Sequence, residues 1–422
     1  MELGDPVLPV TRGQLDIWLA QETGQSATEW QLGLFVKIDG AVEVDALQWA
    51  ISRVVGETEP VRAAFFEVDA QVYQRPLDYP EVELAIFDLN VAGQPMREAR
   101  ELASSIQRAA MPFTGQLFRF ALFRAGADEA YLFVCCHHIV IDGYGLAIVC
   151  QRIASVYSAI VSGAPIPPPI FGSLQDLLDC ERDYEASESY IEDQAYWTKI
   201  LPTATGHDYR LPEHLVDIDP HRSPGPVQLD PAILLQVQQL CLAWNMPRSA
   251  VITAACALVV HGWCGDGQEV VLDFPVSRRV VPESKNLPGM VAGVVPLALQ
   301  VSPRSSVADF CVHVDTRIRE ALQHQRFPVQ ALERKSHLRD PGEVADRVVV
   351  DFLPSGFTAP FGGAEASASL ISGFGRSFGL IFSGAGDELF LSTLGAAQSS
   401  STLDVAGLAR QLERVLAAAG SE

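Results

Sequence analysis

The chain has 422 residues, of which 48% are hydrophobic and 19% charged, a composition typical of a globular protein with a filled core. Its formal net charge of −22 argues against nucleic acid and anionic membranes as partners, because phosphate binding needs clustered Lys and Arg. The sequence has no run of eighteen apolar residues, no signal-peptide layout and no CxxC pair among its eight cysteines, so we expect reduced thiols and a cytoplasmic protein.

The first part of the chain alternates strands and helices. The segment LGLFVKIDG predicts a strand, and Asp45 is expected to cap the helix that follows it. VRAAFFEVDAQVYQRP predicts a hairpin, MREARELASSIQRAAM an amphipathic helix, and QLFRFALFRAGADEAYLFVCCHH a second hairpin that turns at residues 126–128. YGLAIVCQRIASVYSAIVSG then has helical periodicity.

Three consecutive prolines in SGAPIPPPIFGS, residues 162–173, indicate an extended connector. We therefore predict an N-terminal lobe over residues 1–172 and a C-terminal lobe over residues 173–422. In the second lobe, DPAILLQVQQLCLAWN, SAVITAACALVVHGWC, SVADFCVHVDTRIREALQHQ and DVAGLARQLERVLAAAG predict helices, and EVVLDFPVS, GMVAGVVPLALQV, RVVVDFLPS and FGLIFSGAGDELFLSTL predict strands. This pattern indicates a mixed α/β fold without giving the strand order.

The predicted strand YLFVCCHH ends in His137 and His138, and Asp142 and Gly143 follow at the start of the next helix. Neighbouring strand residues point to opposite faces, so the two histidines are expected to have different roles. Gly143 frees the backbone for the turn between strand and helix. By composition, His-His-x-x-x-Asp-Gly arises by chance in about one chain in a thousand of this size, and its strand–turn–helix context fits a functional motif.

Two other chemistries fit these residues less well. Adjacent strand histidines diverge, and no HExxH motif or nearby His–carboxylate set completes a tetrahedral site, so we expect no metal. No GxSxG segment is present for a Ser-His-Asp hydrolase. The residues alone leave one further alternative, in which both histidines are structural and Asp142 is an ordinary helix cap.

HHIVIDG resembles the HHxxxDG motif of the condensation domains of nonribosomal peptide synthetases, and the resemblance covers nearly the whole chain. LPVTRGQLDIWLAQ is similar to the first family motif, with Gln14 and Trp18 at its characteristic positions, and ETEPVRAAFFE to a segment that carries an Arg, here Arg62. FGSLQDLLDCERDY, VVLDFPVSRR and LPGMVAGVVPLAL are similar to later segments. The resemblance implies an α/β fold of two chloramphenicol acetyltransferase-like lobes, arranged as a V-shaped pseudo-dimer with a central substrate tunnel.

The resemblance also implies an acyltransferase that forms an amide (peptide) bond between a carrier-bound acyl or aminoacyl thioester and a carrier-bound aminoacyl acceptor. The partners it implies are donor and acceptor carrier-protein domains and an adjoining adenylation domain. The phosphopantetheine arms of the carriers deliver the substrates, and no cofactor is bound intrinsically. We expect a monomer. The start of the chain is most similar to condensation domains of siderophore assembly lines, and antibiotic synthesis is the wider context of the family.

The family match assigns a role to each residue of the motif. His138 is the catalytic residue that faces the tunnel, as a general base for the acceptor amine or as a group that orients it. His137, Asp142 and Gly143 are structural, and Asp142 is expected to form an ion pair with Arg62.

Other positions of the sequence are candidate tunnel or substrate contacts, namely Tyr144, Gly145, Arg279 and Gly293. Gly145 stands where the family commonly has Ser, and Gly293 stands where it often has Asn. Arg279 matches a basic family position better than Arg278 does, and a surface strand end is the alternative for this pair.

Related activities can be compared with the motif. Heterocyclisation relatives replace the two histidines with aspartates, and epimerase relatives carry further signatures that this sequence lacks. An ester-forming acyltransferase, in which a hydroxyl group attacks, is the first alternative function. An inactive condensation-like platform that recruits another enzyme is the second, and the intact motif disfavours it.

Overall fold

A computed structural model of the chain describes residues 7–22, 30–79, 82–90, 93–201, 226–264, 268–302, 304–335, 347–353, 360–371, 378–384, 388–394 and 405–420. The chain packs as two compact units. Unit 1 comprises Met1–Ser187, Arg279–Ala292 and Gly356–Gly375, and unit 2 comprises Glu188–Arg278, Gly293–Ser355 and Arg376–Glu422.

Strands and helices are numbered in chain order within the described residues. The strands are β1 (Leu8–Pro9), β2 (Gln31–Asp39), β3 (Ala63–Val68), β4 (Gln71–Pro76), β5 (Leu84–Asp88), β6 (Phe118–Arg124), β7 (Ala130–His137), β8 (Val227–Gln228), β9 (Glu269–Val276), β10 (Gly293–Gln300), β11 (Val349–Phe352), β12 (Glu365–Ile371), β13 (Gly379–Ser383) and β14 (Phe390–Leu394). The helices are α1 (Arg12–Glu22), α2 (Val44–Glu57), α3 (Pro95–Arg108), α4 (Gly143–Ser162), α5 (Leu174–Glu185), α6 (Glu188–Ile200), α7 (Pro231–Trp244), α8 (Arg248–Cys264), α9 (Val307–Gln323), α10 (Val329–Lys335) and α11 (Val405–Ala419), and 3-10 turns span Pro60–Arg62 and Pro282–Asn286.

Unit 1 is built on a five-stranded sheet with the order β12-β2-β7-β6-β5, and a smaller sheet has the order β1-β4-β3. β7 is the central strand of the larger sheet, and all of its residues are buried. Burial on both faces explains why its sequence is continuously apolar rather than alternating. Its antiparallel pairing with β2 ends at Gln31 opposite His137, so the double-histidine motif lies at the end of the central strand.

The contacts of unit 1 divide the chain differently from the predicted boundary at residues 172 and 173. Unit 1 continues through α5 to Ser187, because Leu174 and Leu177 pack into its hydrophobic core. It also regains β12, which pairs with β2 from Glu365 opposite Asp39 to Ile371 opposite Gly33. The three prolines predict the connector, but the boundary of the unit depends on which hydrophobic core the side chains of α5 pack into.

Unit 2 is built on a six-stranded sheet with the order β10-β9-β11-β13-β14-β8. β11 runs parallel to both of its neighbours, and the other pairs are antiparallel. α8 packs against α7, α9 and α11 and against the sheet. The core of the unit contains the fully buried Trp197 together with aliphatic side chains from these helices and strands.

One described helix, α4, is long and apolar enough to cross a membrane by length and composition. α7 and α8 would pass the same test together, although a bend of 111° separates them. More than half of the apolar window of α4 is buried inside the protein, as in the core helix of a globular domain.

Two sequence predictions about element ends are wrong. α2 begins at Val44, and the carbonyl of Glu43 accepts the N–H of Leu47, so Asp45 lies in the first turn instead of capping the helix. The strand predicted over GMVAGVVPLALQV begins only at Gly293. Val291 and Ala292, just before this strand, donate their backbone N–H groups to the buried carboxylate of Asp142 instead of pairing in the sheet.

Candidate active site

The double-histidine motif forms a tight turn between β7 and α4. His138 follows the last residue of the strand, and its N–H donates to the carbonyl of Trp30 over 2.6 Å. The N–H of Val140 donates to the carbonyl of His137 over 3.1 Å, and the N–H of Ile141 to that of His138 over 3.3 Å. Backbone hydrogen bonds therefore fix the position of His138.

The ring of His137 is fully buried. Its Nδ1 accepts the backbone N–H of Ile139 over 3.1 Å, its Nε2 lies 2.7 Å from the side-chain amide of Gln21, and Phe113 meets it edge-on. Burial, with a smaller effect of the adjacent His138, lowers the pKa of His137 to about 3. His137 is therefore neutral at pH 7, and its ring contacts Ile139 of the turn and Phe113 beside it.

The ring of His138 has different neighbours from that of His137. It is 3% exposed, and Trp30 meets it edge-on with 6.1 Å between ring centroids. Burial lowers its pKa, while the charge of Asp142 and hydrogen bonding to the backbone of His138 and Ile141 oppose that effect. His138 is thus a neutral imidazole at pH 7, which is the form that can accept a proton.

Asp142 is a fully buried carboxylate that receives five hydrogen bonds. Oδ1 accepts from the N–H of Gly145 over 2.8 Å and from the Arg279 guanidinium over 3.0 Å. Oδ2 accepts from Arg279 over 2.6 Å and from the N–H groups of Val291 and Ala292 over 3.0 and 2.8 Å. Burial acts to raise the pKa of Asp142, but Arg279 and the backbone donors outweigh it and hold the pKa below its ordinary value.

The predicted ion pair between Asp142 and Arg62 is wrong. Arg62 donates to the carbonyl of Leu77 over 2.7 Å and pairs with the exposed Asp78 over 3.0 Å. It lines a surface cavity of about 320 Å³, together with Leu8, Glu59, Pro76, Asp78, Ser173 and Gln175. The cation of Asp142 is Arg279, which lies 137 positions further along the chain.

Arg279 is therefore a structural residue rather than a substrate contact. Its guanidinium is buried, and besides Asp142 it donates to the carbonyls of Leu287 and Gly289 over 3.1 Å each. Tyr144 covers it, with the ring centroid 4.7 Å from Cζ, and the Tyr144 hydroxyl donates to the carbonyl of Lys285 over 3.2 Å. Tyr144 is 39% exposed, so its ring shields the ion pair while part of the side chain remains accessible to solvent.

Two glycines shape the start of α4. Gly143 is its first residue, directly after the capping Asp142, and is partly exposed. Gly145 is buried, and a Cβ there would lie 2.8 Å from Cγ1 of Ile141 and 3.3 Å from the carbonyl carbon of Pro288. A side chain at Gly145 would therefore require its neighbours to shift.

Gly293 lies in unit 2, as the first residue of β10 opposite Val276. A Cβ at this position would collide with the guanidinium of Arg278. That guanidinium donates to the carbonyls of Gln325 and Phe327 over 3.2 and 3.3 Å, and Arg278 has a left-handed φ of 56°. The glycine is thus matched to Arg278 within its own unit.

Sequence reasoning missed the partners that hold the motif. Gln21 is the last residue of the segment LPVTRGQLDIWLAQ, and Trp30 follows it by nine positions without any spacing signal. The PVSRR segment was recognised as basic, yet no local pattern joins Arg279 to Asp142. Only the requirement that a buried carboxylate have a cation indicates that such a partner exists.

A family model described as condensation domain matches residues 5–350 of the chain. The chain belongs to the condensation-domain family. Condensation domains of nonribosomal peptide synthetases are acyltransferases that form peptide bonds, so the predicted family, fold class and reaction class are confirmed.

Curated relatives of this condensation domain are much longer proteins. The chain is 27% identical over 374 residues to a dimodular nonribosomal peptide synthase of Bacillus subtilis (strain 168), a match covering 86% of this chain and 15% of the relative. It is 22% identical over 336 residues to enterobactin synthase component F of Escherichia coli (strain K12), which covers 78% of this chain and 26% of the relative.

Solved condensation domains match the chain over almost its full length. The first condensation domain of the CDA synthetase superposes with a TM-score of 0.85 at 25% identity, covering 99% of this chain and 97% of that one. The starter condensation domain of rhizomide synthetase, in a complex with C8-CoA and Leu-SNAC, gives 0.82 at 23% identity over 99% and 95% of the two chains and shows the shared fold.

Proposed function

We propose that this chain joins a carrier-bound acyl or aminoacyl thioester to the amine of a carrier-bound aminoacyl group. The amine nitrogen attacks the thioester carbonyl, the C–S bond breaks, and the donor arm leaves as a thiol while the nitrogen loses one proton. The observation that carries this proposal is the neutral imidazole of His138, fixed on its turn by backbone hydrogen bonds. His138 takes the proton of the attacking amine.

The other motif residues support the turn instead of moving protons. Both oxygens of Asp142 are occupied by Arg279 and three backbone N–H groups, so this carboxylate has no role as an acid or base. Much of the rate then comes from holding two tethered substrates together beside His138.

The partners in this proposal are a donor and an acceptor carrier-protein domain and an adenylation domain of the same assembly line. Support comes from the relatives, since the chain spans only 15% and 26% of the two synthetases compared above. The substrates would arrive on phosphopantetheine arms, with the reacting thioester at the tip of the arm. A siderophore or antibiotic assembly line is the context in which this reaction would be used.

We also propose a cytoplasmic location. Cys180 and Cys241 are partly buried free thiols, and Cys135, Cys136, Cys150, Cys256 and Cys311 are buried free thiols. Buried free thiols suit a reducing compartment. Fractionation of the producing cells, with detection of the native protein, tests this point.

Reconstitution with loaded carrier proteins tests the proposed reaction. A donor carrier is mixed with carriers that bear an amine or a hydroxyl acceptor of the same shape, and the products are identified by mass spectrometry. We expect amide product with the wild type and a loss of about a hundredfold or more in His138→Ala. His313→Ala, a histidine on α9 of unit 2, is the matched control and should retain wild-type turnover.

Two outcomes would contradict the proposal. Ester from the hydroxyl acceptor with no amide would favour the ester-forming alternative. Unchanged product formation in His138→Ala would show that His138 does not take the proton of the attacking amine.

A further inference from the structure

One hydrogen bond of the His137 ring has a donor and an acceptor that are fixed by chemistry. The backbone nitrogen of Ile139 lies 3.1 Å from Nδ1 of His137, and a backbone N–H can only donate. Nδ1 therefore carries a lone pair. Because burial lowers the pKa of His137 to about 3, the ring is neutral at pH 7, and its one nitrogen-bound proton lies on Nε2.

Nε2 of His137 faces the side-chain amide of Gln21 at the C-terminal end of α1, and the amide nitrogen lies 2.7 Å from it. Two N–H groups cannot hydrogen-bond to each other, so a ring proton on Nε2 requires the amide to be turned. An N–H donor on the ring requires an oxygen at this distance. The two ends of an amide have nearly the same size, so the hydrogen-bond network assigns which end faces the ring. The neutral ring assigns the oxygen of Gln21 to this contact.

We propose that Gln21 is a positioning residue for the turn that carries His138. Its amide oxygen accepts the hydrogen bond from Nε2–H of His137, which keeps Nδ1 as the acceptor for Ile139. His138 lies between His137 and Ile139 in the chain. The His137 ring bonds both to the backbone of Ile139 and to Gln21 on α1, so it links the residues on either side of His138 to that helix. The effect on turnover rests on the proposed function, whereas the position of the ring proton does not.

Loss of the Gln21 oxygen would leave a buried N–H on His137 without its acceptor. The ring could then regain a partner only by rotating or by admitting water, and either change weakens the bond to Ile139. The turn would loosen beside His138, and a small displacement of a reacting group lowers the rate of a positioned reaction. The predicted result is a lower kcat at a nearly unchanged KM for the loaded carriers.

The ring proton can be located by NMR on the whole chain labelled with ¹⁵N-histidine. Long-range ¹H–¹⁵N correlations distinguish a neutral ring protonated at Nε2 from one protonated at Nδ1, and the His137→Gln spectrum identifies the signals that belong to His137. We expect the Nε2–H form in the wild type, with a slowly exchanging proton, and faster exchange of that proton in Gln21→Met. The Nδ1–H form in the wild type would overturn the proposal, as would unchanged exchange in Gln21→Met.

Turnover with loaded carriers tests the positioning role. Gln21→Met preserves side-chain length without an acceptor and should lower kcat about tenfold. Gln21→Glu keeps an acceptor at the same distance and should restore most of that loss. Gln239→Met makes the same exchange on the exposed face of α7 and is the control for the substitution itself.

The possible outcomes separate the two proposals. Wild-type kcat in Gln21→Met, or equal losses in Gln21→Met and Gln21→Glu, would overturn the positioning role. If the wild type formed neither amide nor ester while NMR showed the expected Nε2–H form with proton exchange dependent on Gln21, the proposed function would fail and the hydrogen-bond assignment would stand.

Discussion

At the residue scale, protonation of His138 is not expected to lower the rate of condensation between pH 8 and about 6.5, and its effect should appear only at lower pH. Burial lowers the pKa of His138, so the proton-accepting form persists below the ordinary titration range of histidine. Single-turnover rates at saturating loaded carriers, measured across this range, give the profile. A rate that already halves near pH 7.5 would show that another group limits the reaction.

The fully buried His137 is expected to make stability depend on pH. Its pKa is about 3 in the folded protein and about 6.5 in the unfolded chain, so below pH 6.5 the unfolded state binds the extra proton. The free energy of unfolding should then fall with decreasing pH by up to about 1.4 kcal/mol per pH unit from this residue.

His137→Asn removes that titration and tests the expectation. Denaturant unfolding of the variant should give a lower stability at pH 7.5, because two hydrogen bonds of the ring are changed. Between pH 6.5 and 4 its stability should decline less steeply than that of the wild type. Parallel curves for the two proteins would contradict the assignment.

The sequence predicted the roles of single residues unevenly, and the reason is physical. His137, His138 and Asp142 form a local pattern in which strand, turn and helix follow directly from the residues. The family resemblance predicts Arg62 as the cation of Asp142, but only long-range packing decides which arginine reaches a buried carboxylate. Arg279 reaches it across 137 positions, a separation over which no sequence spacing is informative.

At the scale of secondary-structure elements, the start of α4 and the segment Arg279–Ala292 depend on one buried ion pair. We expect Arg279→Met to lower the free energy of unfolding by about 3–5 kcal/mol, since it leaves the Asp142 carboxylate buried without its cation. Arg62→Met is the matched control and should cost far less, because its carboxylate partner Asp78 is almost fully exposed. Urea unfolding of both variants measures the difference.

A second substitution at the Asp142–Arg279 site tests the ion pair directly. Asp142→Asn combined with Arg279→Met removes both charges and should recover part of the stability lost in Arg279→Met alone. Equal destabilisation by Arg279→Met and Arg62→Met would contradict the expected difference between a buried and an exposed ion pair.

At the start of β10, Gly293 packs closely against the Arg278 guanidinium, and a double-mutant cycle can measure this contact. Gly293→Ala is expected to destabilise unit 2 by about 1 kcal/mol, since the new methyl group displaces the Arg278 guanidinium from its carbonyl partners. In an Arg278→Ala background the same change should cost much less. Thermal unfolding of the four proteins gives the coupling energy, and a coupling near zero would contradict this close packing.

Elements with strong periodicity were predicted well, and weakly patterned ones were not. The apolar run of β7 and the amphipathic face of α3 specify their structures locally. β12 has the sequence EASASLI, in which small and polar residues give little signal, and its strand conformation depends on pairing with β2. The order of strands within each sheet follows from such long-range pairing, which the sequence pattern does not report.

At the scale of the whole molecule, the net charge of −22 affects how the chain meets its partners. An acidic carrier protein would be repelled unless it meets a locally apolar or basic surface, so we expect weak docking with most of the affinity supplied by the tethered substrate. Calorimetry with an unloaded carrier should detect little binding. Raising the salt concentration should lower the KM for loaded carriers, because it screens the repulsion. Tight binding of the unloaded carrier would contradict this expectation.

The interleaving of the two units has a consequence for synthesis on the ribosome. Unit 1 includes Met1–Ser187 but is completed only by Arg279–Ala292 and Gly356–Gly375. At elongation rates of about 5–20 residues per second, the 137 positions between Asp142 and Arg279 take roughly 7–27 s to emerge. For that interval the nascent chain holds a carboxylate without its cation, and the β2 edge that β12 later covers stays open to other strands. Chaperone demand should therefore peak while the residues between Asp142 and Arg279 are being synthesised, and a fragment that stops at Ser187 should aggregate where the 422-residue chain does not.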